Sequence, residues 1–125
     1  MSAAELDTIE KAAQMYFDGM FDSDSTLLKK VFHPQALITG FTGKKELLVM
    51  SAEEFADFAG SVPSAKAEGG KYDMEILSID VTGKVAAVKV RNLYMKRDFT
   101  DQLQMVETNE GWRIISKFYH SVPAN

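Results

Sequence analysis

An α+β fold is predicted, with three N-terminal helices packed on a curved, mainly antiparallel sheet. Three observations carry that prediction. Apolar residues recur at helical spacing through roughly the first sixty residues, with one short extended patch among them. Strand-length runs separated by short turns fill the remainder. Helices first and a meander last is the order in which helices gather on one face of an antiparallel sheet.

Each element has a local cause. Ser2 and Glu5 have the spacing of a capping box, in which hydroxyl and carboxylate each satisfy an orphan amide. Behind them Leu6, Ile9, Ala13, Tyr16, Phe17 and Met20 form one apolar stripe on a long helix that frays near Asp22, past Gly19. Asp22-Ser23-Asp24-Ser25 is rich in N-cap residues and starts a shorter helix carrying Leu27, Leu28, Val31 and Phe32. His33-Pro34 ends it, because the residue before proline is pushed out of the α region. Ala36 to Phe41 and Glu46 to Met50 form a small hairpin around Thr42-Gly43. A second capping box, Ser51 with Glu54, opens a third helix bearing Phe55, Phe58 and Ala59. After a loop marked by Pro63 and Gly69-Gly70 come strands Lys71 to Val81, Lys84 to Met95, Phe99 to Thr108 and Trp112 to His120.

Short turns between these strands place Asn92 opposite Gln102, Val88 opposite Val106, and Gln104 opposite Ser116. One face then carries Leu77, Ile79, Val88, Val90, Asn92 and Tyr94, continued by Gln102, Gln104, Trp112, Ile114, Ser116, Phe118 and His120. Its gradient from apolar to neutral-polar suits a core opening into a pocket, so this face is assigned to the helices. The other face carries Met74, Ile76, Leu93, Asp101, Leu103, Met105, Ile115, Lys117 and Tyr119. Aliphatic and aromatic residues mixed with paired charges suit a subunit interface, with Asp101 diagonal to Lys117 as a cross-strand ion pair.

The composition narrows the function. A chain of 125 residues fits one domain, 1–125. Eighteen acidic against fourteen basic residues give a net charge of −4, with no basic stripe for nucleic acid or an anionic membrane. There is no cysteine, so a disulfide framework and thiol-based zinc or redox chemistry are excluded. No apolar run suits a membrane span, and MSAAELDTIE lacks the pattern of a secretory leader, so a cytoplasmic location is expected. His33 and His120 lack paired-ligand spacing, so no metal and no cofactor are expected.

Taken in order, these elements resemble the nuclear transport factor 2-like superfamily, the cystatin-like cone of ketosteroid isomerases, polyketide cyclases and scytalone dehydratases. Within it the chain is most similar to the putative lumazine-binding group. The segments that carry the likeness are Tyr16-Phe17-Asp18-Gly19-Met20, Phe32-His33-Pro34-Gln35-Ala36, Phe99-Thr100-Asp101 and Gly111-Trp112-Arg113-Ile114-Ile115-Ser116-Lys117, with His120 beyond. Gln35 stands where the group usually carries an acid. The resemblance implies a cone with a cavity, and polar residues late on the last strand lining it.

Three residues are candidate catalysts. His120 and His33 are placed to act as general acid or base, although His33 before proline also suits a helix C-terminus. Tyr94 is placed to donate to a developing oxyanion. Asp18 is the nearest candidate carboxylate but falls on the solvated flank. The expected pocket combines Tyr16, Phe17, Met20, Phe55, Phe58 and Tyr94 with Asn92, Gln102, Gln104, Ser116, Phe118 and His120. A homodimer is expected through Leu93, Asp101, Leu103, Met105, Ile115, Lys117 and Tyr119. The function expected is binding of a small molecule in a hydrophobic cone. The alternatives are isomerase, dehydratase or cyclase chemistry by general acid/base catalysis, and a structural or partner-binding dimer module.

Overall fold

Capping starts the helices where the sequence places it. The computed structural model describes residues 2–41 and 43–124. Ser2 Oγ accepts from the Glu5 amide at 3.1 Å and opens α1 (Ala3–Asp22). Ile9, Ala13, Tyr16, Phe17 and Met20 form its buried stripe. The helix ends as Ser23 enters the left-handed region at φ 52°. Asp24 caps α2 (Ser25–Val31) by accepting from the Leu27 amide at 3.0 Å. A Cβ on Gly19 would lie 2.7 Å from the Leu28 side chain, so glycine there lets α1 and α2 approach closely.

β1 (Phe32–Phe41) follows at once and pairs antiparallel with β2 (Leu47–Ser51). Thr42, in the expected turn between them, lies outside the described residues. α3 (Ala52–Ser61) starts from the complete Ser51–Glu54 capping box. This third helix therefore comes after a hairpin, so the helices are not one N-terminal block. The meander is β3 (Met74–Thr82), β4 (Val85–Tyr94), β5 (Arg97–Thr108) and β6 (Gly111–Pro123). Strand order is β2-β1-β6-β5-β4-β3, with β1 and β6 parallel, so the sheet is mixed rather than purely antiparallel.

The register corrects the expected faces on β5 and on half of β6. The β4–β5 turn is Met95-Lys96, with φ of 51° and 60°, the two left-handed positions of a type I′ turn. Asn92 consequently faces Phe99 and Val88 faces Leu103, which turns Asp101, Leu103 and Met105 inward and Gln102 and Gln104 outward. Gln104 does pair with Ser116 as expected, but Met105 pairs with Ile114, leaving Ile115 as a bulge. Trp112 and Ile114 thus face the helices, as expected. Past the bulge Lys117 and Tyr119 face inward, while Ser116, Phe118 and His120 face outward. A second bulge, at Leu77, brings Met74 and Ile76 to the inner side and leaves Leu77 exposed.

The core lies between the sheet and the helices. Tyr16, Phe32 and Phe55 pack edge to face, with ring centroids 5.8 and 5.5 Å apart. Among the described residues, no helix is long and apolar enough to cross a membrane.

Candidate functional site

At the wide end of the cone, core becomes wall. A cavity of about 240 Å³ opens between α1, α3, the β1–β2 hairpin and the far ends of β4, β5 and β6. Met20, Ile38, Met50, Phe55 and Phe58 supply apolar lining, and Phe41, Leu48 and Met95 stand at its exposed rim. Phe99 stacks between Tyr94 and Tyr119, at centroid distances of 6.0 and 5.7 Å. Arg97 is tied to β6, its Nε donating to Ser121 Oγ at 2.9 Å.

The charged residues of the lining are Arg97 and, far more buried, Lys117. The β6 bulge directs it into the core, where it is 2% exposed, and its Nζ sits 4.3 Å from the Phe55 ring centroid, 5.1 Å from Tyr16 and 5.5 Å from Tyr119. Its counter-charge is Asp101, whose Oδ2 lies 4.0 Å away, too far for a hydrogen bond. Asp101 is fully buried, and Oδ2 accepts from the Tyr16 hydroxyl at 2.6 Å and from Asn92 Nδ2 at 2.8 Å. Its other oxygen, Oδ1, has no hydrogen-bond partner. Four elements thus meet in one polar cluster: α1 through Tyr16, β4 through Asn92, β5 through Asp101 and β6 through Lys117.

Burial dominates the electrostatics. It pushes the Lys117 ammonium below the usual lysine value, and the Asp101 carboxylate pulls the other way. It pushes Tyr16 well above the usual tyrosine value, and the adjacent Asp101 charge adds to that shift. Tyr94, whose buried hydroxyl has no partner, is pushed up by burial to about 12. Tyr119 is raised by burial and by Asp101. Removing an ion from water costs several kcal/mol even after relaxation, and the groups that offset it at Lys117 are Asp101 and the faces of Phe55, Tyr16 and Tyr119.

The residues expected to form the pocket divide. Met20, Phe55, Phe58 and Tyr94 line the cavity. Tyr16, Phe17 and Asn92 are buried beside or beneath it. Gln102, Gln104, Phe118 and His120 are exposed on the opposite face of the sheet, with Ser116 half-buried there. His33 Nδ1 accepts from the Gln35 amide at 3.1 Å at the start of β1, away from the cavity. Neither histidine reaches the cavity.

Of the residues expected at a subunit interface, Leu93 and Ile115 are half-buried, whereas Asp101, Leu103, Met105 and Lys117 are core residues of this chain and Tyr119 lines its cavity. The diagonal Asp101–Lys117 pairing is present, but inside. Sequence reasoning linked these two and missed their depth. Among the described residues, no group of three or more His, Cys, Asp and Glu is placed to hold a metal ion.

Comparison with known proteins places this geometry in context. A family model described as putative lumazine-binding matches residues 4–120. The chain is 28% identical to a protein named Aldolase FrzH from a Cladobotryum species, across 98% of this chain and 96% of that one. It is similar to a nuclear transport factor 2-like protein of unknown function from Silicibacter pomeroyi, with 25% identity, a TM-score of 0.88, and coverage of 98% and 100% of the two chains. A ketosteroid isomerase-like protein from Erwinia carotovora shares the fold at a TM-score of 0.71 and 17% identity, over 97% of this chain and 98% of that one.

Proposed function

Given that the chain belongs to the putative lumazine-binding family, with the nuclear transport factor 2-like fold, we propose that its cone binds a small, largely apolar carbonyl compound and performs acid–base chemistry on it. The observation that carries this reading is the Lys117 ammonium, buried at the floor of an apolar cavity beside Asp101. A ligand carbonyl pointing inward meets Lys117 and the unpartnered Tyr94 hydroxyl as donors among mostly apolar walls. There an oxyanion or enolate is stabilised far more than in water. Asp101 sets the charge of Lys117, and Tyr16 and Asn92 hold Asp101.

The name of the Cladobotryum relative supports the same chemistry, since aldol reactions make or break a carbon–carbon bond next to a carbonyl. The family's name favours a second ligand class, flat heteroaromatic compounds of the lumazine type. A pteridine ring system carries polar atoms around most of its edge, and the walls formed by Met20, Ile38, Met50, Phe55 and Phe58 leave most of them unpaired, with Tyr94, Arg97, Lys117, Tyr119 and Ser121 as the polar lining. That contrast favours the apolar carbonyl compound.

The outer sheet face supports a homodimer as part of this reading. Leu37, Val49, Phe118 and Val122 of β1, β2 and β6 are about half exposed there, at 52%, 51%, 56% and 48%. Contiguous exposed apolar area of this kind marks association surfaces.

Ligand-detected NMR with cyclohexanone and with lumazine tests the binding reading. Saturable binding of the ketone, weakened in the cavity-filling variant Met50→Trp, is expected. Ketone binding that is absent, or indifferent to Met50→Trp, would overturn it.

A further inference from the structure

We propose that Lys117 is a covalent amine site: its Nζ condenses with the carbonyl carbon of a small apolar aldehyde or ketone held in the cavity, forming an iminium ion and releasing water. This rests on the carbonyl-binding reading of the same cavity and adds a bond between protein and ligand.

Placement is the first argument. Lys117 lines the cavity while the rings of Phe55, Tyr16 and Tyr119 surround its Nζ at 4.3, 5.1 and 5.5 Å. The β6 backbone fixes where the side chain starts, so a carbonyl carbon entering the cavity meets an amine already held in place. A lysine desolvated in a hydrophobic pocket is one of the ways an amine becomes a nucleophile. Burial here does favour the neutral form, in opposition to Asp101.

Proton accounting is the second argument. Lys117 begins as an ammonium and must lose one proton before its lone pair can attack. Asp101, whose Oδ2 lies 4.0 Å from Nζ, is the carboxylate that takes that proton once the lysine side chain closes the gap. Attack forms the C–N bond and sends the carbonyl π pair onto oxygen, and a second proton moves from nitrogen to that oxygen to give the carbinolamine. Asp101 then returns its proton to the hydroxyl, the C–O bond breaks with its pair, and water leaves. The nitrogen lone pair completes the C=N bond. One ammonium–carboxylate pair has become one iminium–carboxylate pair, so Asp101 keeps a counter-charge at both ends of the sequence. No oxidant or reductant is consumed.

Tyr16 at 2.6 Å and Asn92 at 2.8 Å hold the carboxylate through Oδ2, which fixes it beside the lysine.

The test is reductive trapping. Protein is incubated with limiting benzaldehyde and sodium cyanoborohydride, then analysed by intact mass and peptide mapping, with toluene and benzyl alcohol binding followed by NMR. The expected adduct adds the aldehyde's mass less one oxygen and maps to Lys117. The downward shift raises the neutral amine fraction, so labelling faster than at surface lysines is expected. Lys117→Met should lose the adduct. Should that variant fail to fold, the map of the parent protein still decides. Probe binding in the cavity with adducts scattered over surface lysines would overturn the covalent inference and leave the binding reading intact. Absence of any cavity binding, by benzaldehyde or its analogues, would overturn both.

Discussion

The Tyr16 hydroxyl donates to Asp101 Oδ2 across 2.6 Å, joining the first helix to the fifth strand where neither residue reaches solvent. This bond ties the helical layer to the charged pair beneath the cavity. Tyr16→Phe removes the donor and keeps the ring, leaving Asn92 as the remaining partner of Oδ2. Hydrogen bonds to charged groups contribute about 1.5–3 kcal/mol, so a loss of that size is expected in urea unfolding. Parent-like stability would mean that the bond adds nothing.

Asp101→Asn keeps the shape and strips Lys117 of its counter-charge. Breaking a buried ion pair from one side costs about 3–5 kcal/mol. The pH dependence identifies the cause. Lys117 already titrates below its ordinary 10.5 when folded, and loss of Asp101 lowers it further. Between that lowered value and 10.5 the unfolded chain binds the proton and the folded chain does not, so stability rises with pH across the window. The deficit of Asp101→Asn relative to the parent should therefore shrink as pH climbs from neutral toward 10, where tyrosines begin to ionise in the unfolded chain. A deficit constant with pH would rule out the unpaired ammonium as its source.

Tyr94→Phe removes a buried hydroxyl that has no partner. At neutral pH the variant should equal or exceed the parent in stability, by up to about 1 kcal/mol. Folded Tyr94 keeps its proton to about pH 12, whereas the unfolded chain begins to lose it near 10, so relative to its level below pH 10 the parent loses stability as pH rises through 12. The variant should accordingly show a shallower alkaline loss of stability. Its affinity for cyclohexanone should fall by roughly five-fold, the equivalent of one hydrogen bond of about 1 kcal/mol.

Most elements were legible because their causes are local. Ser51 with Glu54, Asp24 before α2, and Pro34 after it act within a few residues of themselves. The β4–β5 turn was not. A type I′ turn favours Asn or Gly at positions of positive φ, whereas Met95-Lys96 carries neither and adopts them because the flanking strands dictate it. Reading the turn farther along, at Lys96-Arg97-Asp98, reverses every side chain of β5. The Ile115 bulge had no signal either, since Ile114-Ile115 reads as uninterrupted strand. These two features together hid Asp101 and Lys117 from the pocket and put His120 into it. The detectable clue was chemical: an aspartate and a lysine set diagonally among Leu103, Met105 and Tyr119 are too apolar in their surroundings for a solvated pair.

The same reversal decides where subunits would meet. Leu103 is fully buried against the helices, so Leu103→Glu places a carboxylate in the core and should unfold the protein rather than separate subunits. In the homodimer proposed above, the association surface is the outer face, where Thr39 pairs with both Val49 and Phe118, bringing the exposed side chains of β2 and β6 into one row. Phe118 is 56% exposed, so Phe118→Glu should leave the circular dichroism spectrum and thermal midpoint close to those of the parent. In sedimentation velocity the parent is expected as a dimer and Phe118→Glu shifted toward monomer, because a carboxylate in that row would have to be desolvated to form the contact. A dimer unchanged by Phe118→Glu would move the contact elsewhere. A folded Leu103→Glu variant would contradict the inward register of β5, and with it the placement of Asp101 beneath the cavity.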